Sequence, residues 1–159
     1  MSKPAPLHRF PSRMAGVLHA AIWRIADQYD GNAANIWADK PSSAEVVYRF
    51  LQFDGVGPKI ANVATNCLAR HFKVPFSDYY SIDIAADVHV RRVFRRLGLV
   101  CESAGLEEVI YRARSLHPEF PGLMDYPCWE LGRNWCRERK RLCADCHMND
   151  LCPSAERKG

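Results

Sequence analysis

Four cysteines near the end of the chain, Cys136, Cys143, Cys146 and Cys152, stand in the spacing C-x6-C-x2-C-x5-C. Soft thiolate ligands gathered on a short, tightly wound segment suit an iron–sulfur cluster, and no disulfide pattern is needed to explain them. Zinc sites usually join two close pairs across a longer loop, whereas only Cys143 and Cys146 form a C-x-x-C pair here. Spacing alone therefore leaves a cubane cluster, zinc and unligated thiols open. The other three cysteines, Cys67, Cys101 and Cys128, fall in apolar helical patterns and read as buried thiols without chemistry.

A chain of 159 residues that is 48% hydrophobic can bury one core or two small lobes. Its 22 Lys and Arg against 18 Asp and Glu give a net charge of +4, too mild by itself to prove a polyanionic partner. Distribution says more. Basic residues concentrate at Arg91, Arg92, Arg95 and Arg96, and again at Arg133, Arg137, Arg139, Lys140 and Arg141. Both patches suit phosphate, and the first serves equally well as a solvated helix face. Residues 1–13 carry three prolines and no apolar core of a signal peptide, and they read as a flexible tail. No window is long and apolar enough to cross a bilayer, so cytoplasm or nucleoid is the expected location.

The periodicity is helical nearly throughout. Met14, Val17, Leu18, Ala21, Ile22 and Ile25 recur at three-and-four spacing, with Asp30-Gly31 as a stop. Ser42 and Glu45 have the form of a capping box for a short helix through Val46, Val47, Phe50 and Leu51. A turn at residues 53–57 leads to Pro58, suited to the first position of a helix bearing Ile60, Val63, Ala64, Cys67 and Leu68. Asp87 opens another helix with Val90, Val93, Phe94 and Leu97 on one face, closed by Gly98. Further helices are expected around Leu106 to Ala113 and from Tyr126 to Cys136, and residues 74–84 read as a loop.

In the turn G-V-G-P-K both glycines allow backbone geometry that a side chain would resist, and the amides opening the next helix face outward at its positive dipole end. Such a turn can hold a DNA phosphate without reading a base. Together, the string from Leu51 to Ala64, the D-x-H-x-x-R of Asp87, His89 and Arg92, and the four-cysteine loop resemble the helix-hairpin-helix DNA glycosylases of the endonuclease III type. The three features occur in that family's order and span roughly residues 14 to 153.

The resemblance implies an all-α, two-lobed helix-hairpin-helix fold with a C-terminal [4Fe-4S] loop on Cys136, Cys143, Cys146 and Cys152. Residues 14–85 would form a partial helical lobe with the hairpin, and residues 86–159 the cluster lobe. It further implies a monomeric base-excision glycosylase with abasic-site lyase activity on double-stranded DNA carrying a damaged base or abasic site. Lys59 would be the nucleophile that forms a Schiff base at C1′. Asp87 would stabilise positive charge on the sugar or assist the attacking amine, while also capping its helix. Gly55, Val56, Gly57 and Ile60 of the hairpin, with Arg137, Arg139, Lys140 and Arg141 of the loop, would hold DNA. A lysine needs activation by desolvation or positive potential, and the nucleotide must be extruded to reach it.

Three features depart from the family pattern. Residues 74–81 look inserted, Pro58 replaces a basic residue, and only about fifty residues precede the hairpin, so the chain is expected to be N-terminally truncated. Two other readings stand beside the enzyme. One is a DNA-binding cluster protein of the same fold that no longer excises bases; the other is a zinc-bound helical module.

Overall fold

The computed structural model describes residues 9–155, and among them every regular element is helical. Helix α1, Pro11–Gln28, begins with proline at its first position, where the missing N–H costs nothing. It therefore starts within the stretch expected as a tail, whose residues 1–8 lie outside those described. The expected stop at Asp30 and Gly31 is present as two residues with φ of 53° and 73°. The expected apolar face is covered only in part. Met14, Val17, Ala21 and Ile25 are half-buried, while Leu18 and Ile22 stay exposed because α1 leans on little but the turn after α2.

A short 3-10 turn, Ala33–Trp37, buries Ile36, and helix α2 follows over Ser43–Leu51. Ser42 Oγ accepts from Glu45 N–H at 3.1 Å, but Glu45 turns forward to Arg49 Nε at 2.8 Å instead of back to the Ser42 backbone. Half of the expected capping box is thus made, since an i, i+4 ion pair competes for the glutamate. Helix α3, Pro58–Arg70, packs on α2, and Val46, Leu68, Phe76 and Ile82 form the apolar cluster between them and the loop that follows.

That loop, residues 71–87, contains no strand, and its polar groups are held by backbone and side-chain partners around it. Ser77 N–H donates to Pro41 O, Ser43 Oγ binds Asp78, and Asp83 N–H donates to Asn62 Oδ1 at 2.7 Å. Such pairing lets an irregular segment bury Phe76, Ile82, Ile84, Ala85 and Ala86 without stranding its backbone.

Helix α4, Val88–Arg96, helix α5, Leu106–Leu116, and helix α6, Asp125–Asn134, enclose a second cluster of Ile84, Ala86, Val90, Val93, Phe94, Val109, Ala113 and Cys128. The chain crosses from the first cluster to the second between Ile82 and Ile84. Helices α4 and α6 approach closely at Gly132, where a Cβ would meet His89 Cβ at 2.8 Å and the His89 carbonyl oxygen at 3.0 Å. Only glycine fits there. After α6 the chain winds through two 3-10 turns, Cys143–Asp145 and Asn149–Leu151.

Candidate active site and cysteine loop

Two helix N-termini meet at the junction of the apolar clusters. Asp87 caps α4 with Oδ1, which accepts from His89 N–H at 2.8 Å and Val90 N–H at 2.9 Å. Its other oxygen, Oδ2, lies 3.9 Å from Nζ of Lys59, the second residue of α3. The cap fixes the carboxylate's direction, and the free oxygen faces the amine. The Asp87 side chain is 16% exposed and that of Lys59 63%, so the amine remains in water. Asp83, four residues before Asp87, is occupied elsewhere, in a two-point pair with Arg114 at 2.7 and 2.8 Å. That pair and the Asn62 contact hold the segment leading into Asp87.

Lys59 and Asp87 stand on the wall of an open cavity of about 400 Å³. Asn66, Cys67 and Arg70 of α3 line one side; Asp125, Tyr126 and Trp129 of α6 line the other. Periodicity gave no sign of the α6 contribution, because Asp125 reads as an ordinary first-turn acid. Asp125 Oδ1 accepts from Ala85 N–H at 2.8 Å, tying α6 to the backbone two residues before Asp87. Burial pushes its carboxyl above the usual 3.8, and the Asp87 charge adds to the rise. The Ala85 hydrogen bond, Lys59 and Arg70 oppose it. Behind it, Cys128 is pushed up to about 12 by burial and by Asp125, which keeps this thiol protonated and inert.

In the hairpin turn, Gly55 has φ of 76°, and a Cβ there would also crowd Val17 Cγ2 at 3.2 Å. Gly57 differs from expectation: its φ of −99° is open to any residue and nothing lies near a Cβ, because it is simply the extended cap of α3. Val56 N–H is already taken by Phe53 O at 3.1 Å. The first-turn amides of α3 at Lys59 and Ile60 have no intrahelical acceptor, and the Ile60 side chain is exposed.

The four loop cysteines, all half-buried, line one small cavity with Trp135 and Asn149. Burial is the main cause raising the Cys146 thiol, and Cys136, Cys152 and Cys143 add to it, so all four are electrostatic neighbours. Among the described residues, no group of three His, Cys, Asp or Glu side chains converges tightly enough to hold a single metal ion. Arg92 and Arg96 tether the loop. Arg92 Nε donates to Cys136 O at 2.7 Å and its Nη2 to Gly132 O at 2.8 Å, while Arg96 Nη1 donates to Arg137 O at 2.7 Å. Of the loop's basic residues, Arg137, Arg139 and Lys140 are exposed, whereas Arg141 turns inward and donates to Ser154 O at 3.4 Å. Cys101 is a correction: it is exposed and lies outside any helix, because α4 has ended at Gly98, whose φ is 68°.

No profile of a known protein family matches the chain. It is 28% identical over 147 residues to endonuclease III of Synechocystis, covering 87% of this chain and 55% of the relative. It is 32% identical over 120 residues to endonuclease III of Thermotoga maritima, covering 75% of this chain and 50% of the relative. The chain thus spans about half the length of the curated relatives it matches. Its fold superposes on a trapped endonuclease III–DNA covalent intermediate, an estranged-adenine complex, with a TM-score of 0.63 and 24% identity, over 92% of this chain and 60% of the other. A non-covalent endonuclease III–DNA complex gives 0.63 at 23% identity, over 91% and 58%.

Proposed function

We propose, from the premise that this chain is a member of the endonuclease III type of helix-hairpin-helix glycosylases, that it excises a damaged base from DNA and cleaves the resulting abasic site. The observation carrying this reading is the 3.9 Å approach of Lys59 Nζ to Asp87 Oδ2 on the wall of a cavity of about 400 Å³. In this reading the neutral Lys59 amine attacks C1′ of an extruded nucleotide. The glycosidic bond breaks, its electron pair leaves with the base, and the base takes up a proton. Nitrogen gives up one proton after it bonds to C1′; the sugar ring then opens, O4′ leaving with the C1′–O4′ electron pair and taking up a proton, while the nitrogen lone pair forms a protonated C=N Schiff base. Loss of a C2′ proton finally expels the 3′ phosphate.

On this reading Asp87 would serve two tasks in succession. Its Oδ2, 3.9 Å from Nζ, would accept the ammonium proton, and its negative charge would then oppose the positive charge growing on the sugar. Desolvation of the amine would come from the nucleotide covering the cleft. The hairpin amides and Arg137, Arg139 and Lys140 would hold phosphates on either side, and the protein would work as a monomer. Among the described residues no helix is long and apolar enough to cross a membrane, and action on DNA fits the cytoplasm or nucleoid.

We further infer that Cys136, Cys143, Cys146 and Cys152 hold a [4Fe-4S] cluster. All four thiols line one cavity, and their C-x6-C-x2-C-x5-C spacing in a chain like endonuclease III supports a cluster over zinc. When bound, the cluster would keep the basic loop in shape, and residues 86–159 would be its lobe. Purified protein should contain about four iron atoms per chain on this reading; a colourless zinc protein would overturn it.

Borohydride trapping on abasic-site DNA tests the enzyme. A covalent adduct is expected with the wild type and none with Lys59→Ala. Absence of an adduct with wild type under single-turnover conditions would reject the lyase, leaving a DNA-binding protein of the same fold.

A further inference from the structure

A second open cavity, of about 560 Å³, lies between α4 and α6 beside the Lys59–Asp87 cleft. Arg91, Arg92, Arg95, Arg96, Arg133 and Arg137 line it, and only Glu102 and Glu138 oppose them in charge. The surplus of four positive charges equals the formal charge of the entire chain, +4. Among the described residues, none of these six arginines forms an ion pair; the pairs present are Arg49–Glu45, Lys59–Asp87 and Arg114–Asp83. A cleft this basic, and this unneutralised, favours an anion.

The arginines of α4 divide into two ridges with different work. Arg92 and Arg96, four residues apart, spend their donors on the carbonyls of Cys136, Gly132, Arg137 and Glu138, so they clamp the cysteine loop. Arg91 and Arg95 form the neighbouring ridge. The Nε atoms of both are buried without a hydrogen-bond partner among the described residues, although Arg95 Nη2 reaches Ala104 O at 2.6 Å. Buried donors without acceptors cost stability, and like charges four apart on a helix repel each other. Folding alone gives no reason for this ridge.

We propose that Arg91 and Arg95 grip consecutive phosphates of the DNA strand adjoining the nucleotide held at Lys59 and Asp87. The proposal rests on the reading that the chain acts on DNA. Asp87 caps α4, so Arg91 and Arg95 sit one and two turns along the same helix, about 6 and 12 Å from it along the axis. The wall between the two cavities is shared: the Arg133 guanidinium lies 4.9 Å from the ring centre of Trp129, which lines the Lys59 cleft. A strand leaving the first cavity would meet the second next, and its phosphate oxygens would accept from the Nη donors that Arg91 and Arg95 bring to the cavity wall, the buried Nε atoms staying out of reach.

The test is the salt dependence of duplex binding, measured by fluorescence anisotropy for wild type and for the Arg91→Gln, Arg95→Gln double variant. Loss of two phosphate contacts should flatten the slope of log K against log salt by about 1.8. An unchanged slope in a variant that melts like the wild type overturns the proposal. So does a cavity that binds pyrophosphate in the wild type while the double variant keeps the full DNA slope, since it would then serve a free anion. If the variant fails to fold, phenylglyoxal modification of the wild type decides: duplex DNA should protect Arg91 and Arg95, and undiminished labelling of both sinks the idea. Failure of the enzyme reading shows separately, as a missing borohydride adduct while the salt slope is intact.

Discussion

The two cavities flanking α4 are built on opposite electrostatic principles. At the Lys59–Asp87 cleft, charges of both signs face one another, with Asp125 and Arg70 close by, and the groups are few and held by caps and backbone hydrogen bonds. At the other cavity six guanidiniums outnumber two carboxylates, with no ion pair among the described residues. Balanced charge at short range suits proton and electron movement, where each group must change its state; unbalanced charge suits holding a polyanion. One helix serves both, presenting its capped N-terminus to the first and its arginine ridges to the second.

Substitutions at the two sides should fail differently. Asp87→Asn keeps a capping oxygen but removes the negative charge facing Lys59. The rate of adduct formation should fall by about 10²–10³ while the melting temperature barely moves. An equally large fall in stability would show that Asp87 acts mainly as a cap. Gly132→Ala attacks what joins the cavities, because its methyl would meet the His89 backbone. It should destabilise the chain by about 1–3 kcal/mol in denaturant titration, and it should weaken duplex binding and trapping together.

Asp125→Asn sharpens the balanced side alone. A carboxyl raised in the folded chain binds protons more readily there than in the unfolded chain. Its contribution to stability is therefore present in acid and lost as pH rises from 3.8 through the folded value. The variant lacks that loss, so its stability relative to wild type should climb across the same window and level off above it. A constant difference at all pH values would contradict the burial of Asp125. The smallest effect concerns thiols outside both cavities: iodoacetamide should label exposed Cys101 in the native protein and spare Cys128 until unfolding. Labelling Cys101 should leave the salt slope of DNA binding unchanged.

Local signals were legible wherever a single residue type sets the backbone. Pro58 opening α3, Asp87 capping α4 and Gly98 closing it were all readable, because each acts within one helical turn. The same local logic misread Gly57, since the two glycines of G-V-G look alike in a sequence while, of the pair, only Gly55 adopts a positive φ. It misplaced Cys101 inside a helix, because apolar neighbours continue past the glycine stop. The D-x-H-x-x-R pattern set Arg92 apart, but the sequence otherwise grouped the arginines of α4 as one basic patch. Which carbonyls Arg92 and Arg96 meet depends on α6 and the cysteine loop, some 40 residues away.

The order of residues by itself determined the helical periodicity, the caps and turns between helices, and the pairing of a glycine hairpin with a thiol-rich tail, for these follow from backbone preferences over a few residues. Only the tertiary structure decided that Lys59 and Asp87, 28 positions apart, lie 3.9 Å from each other, and that Asp125 joins them from α6. Those distances arise from how α3, α4 and α6 pack on a loop held by Asn62, Arg114 and Asp125. Packing of that kind is a property of the whole core and is written in no single segment.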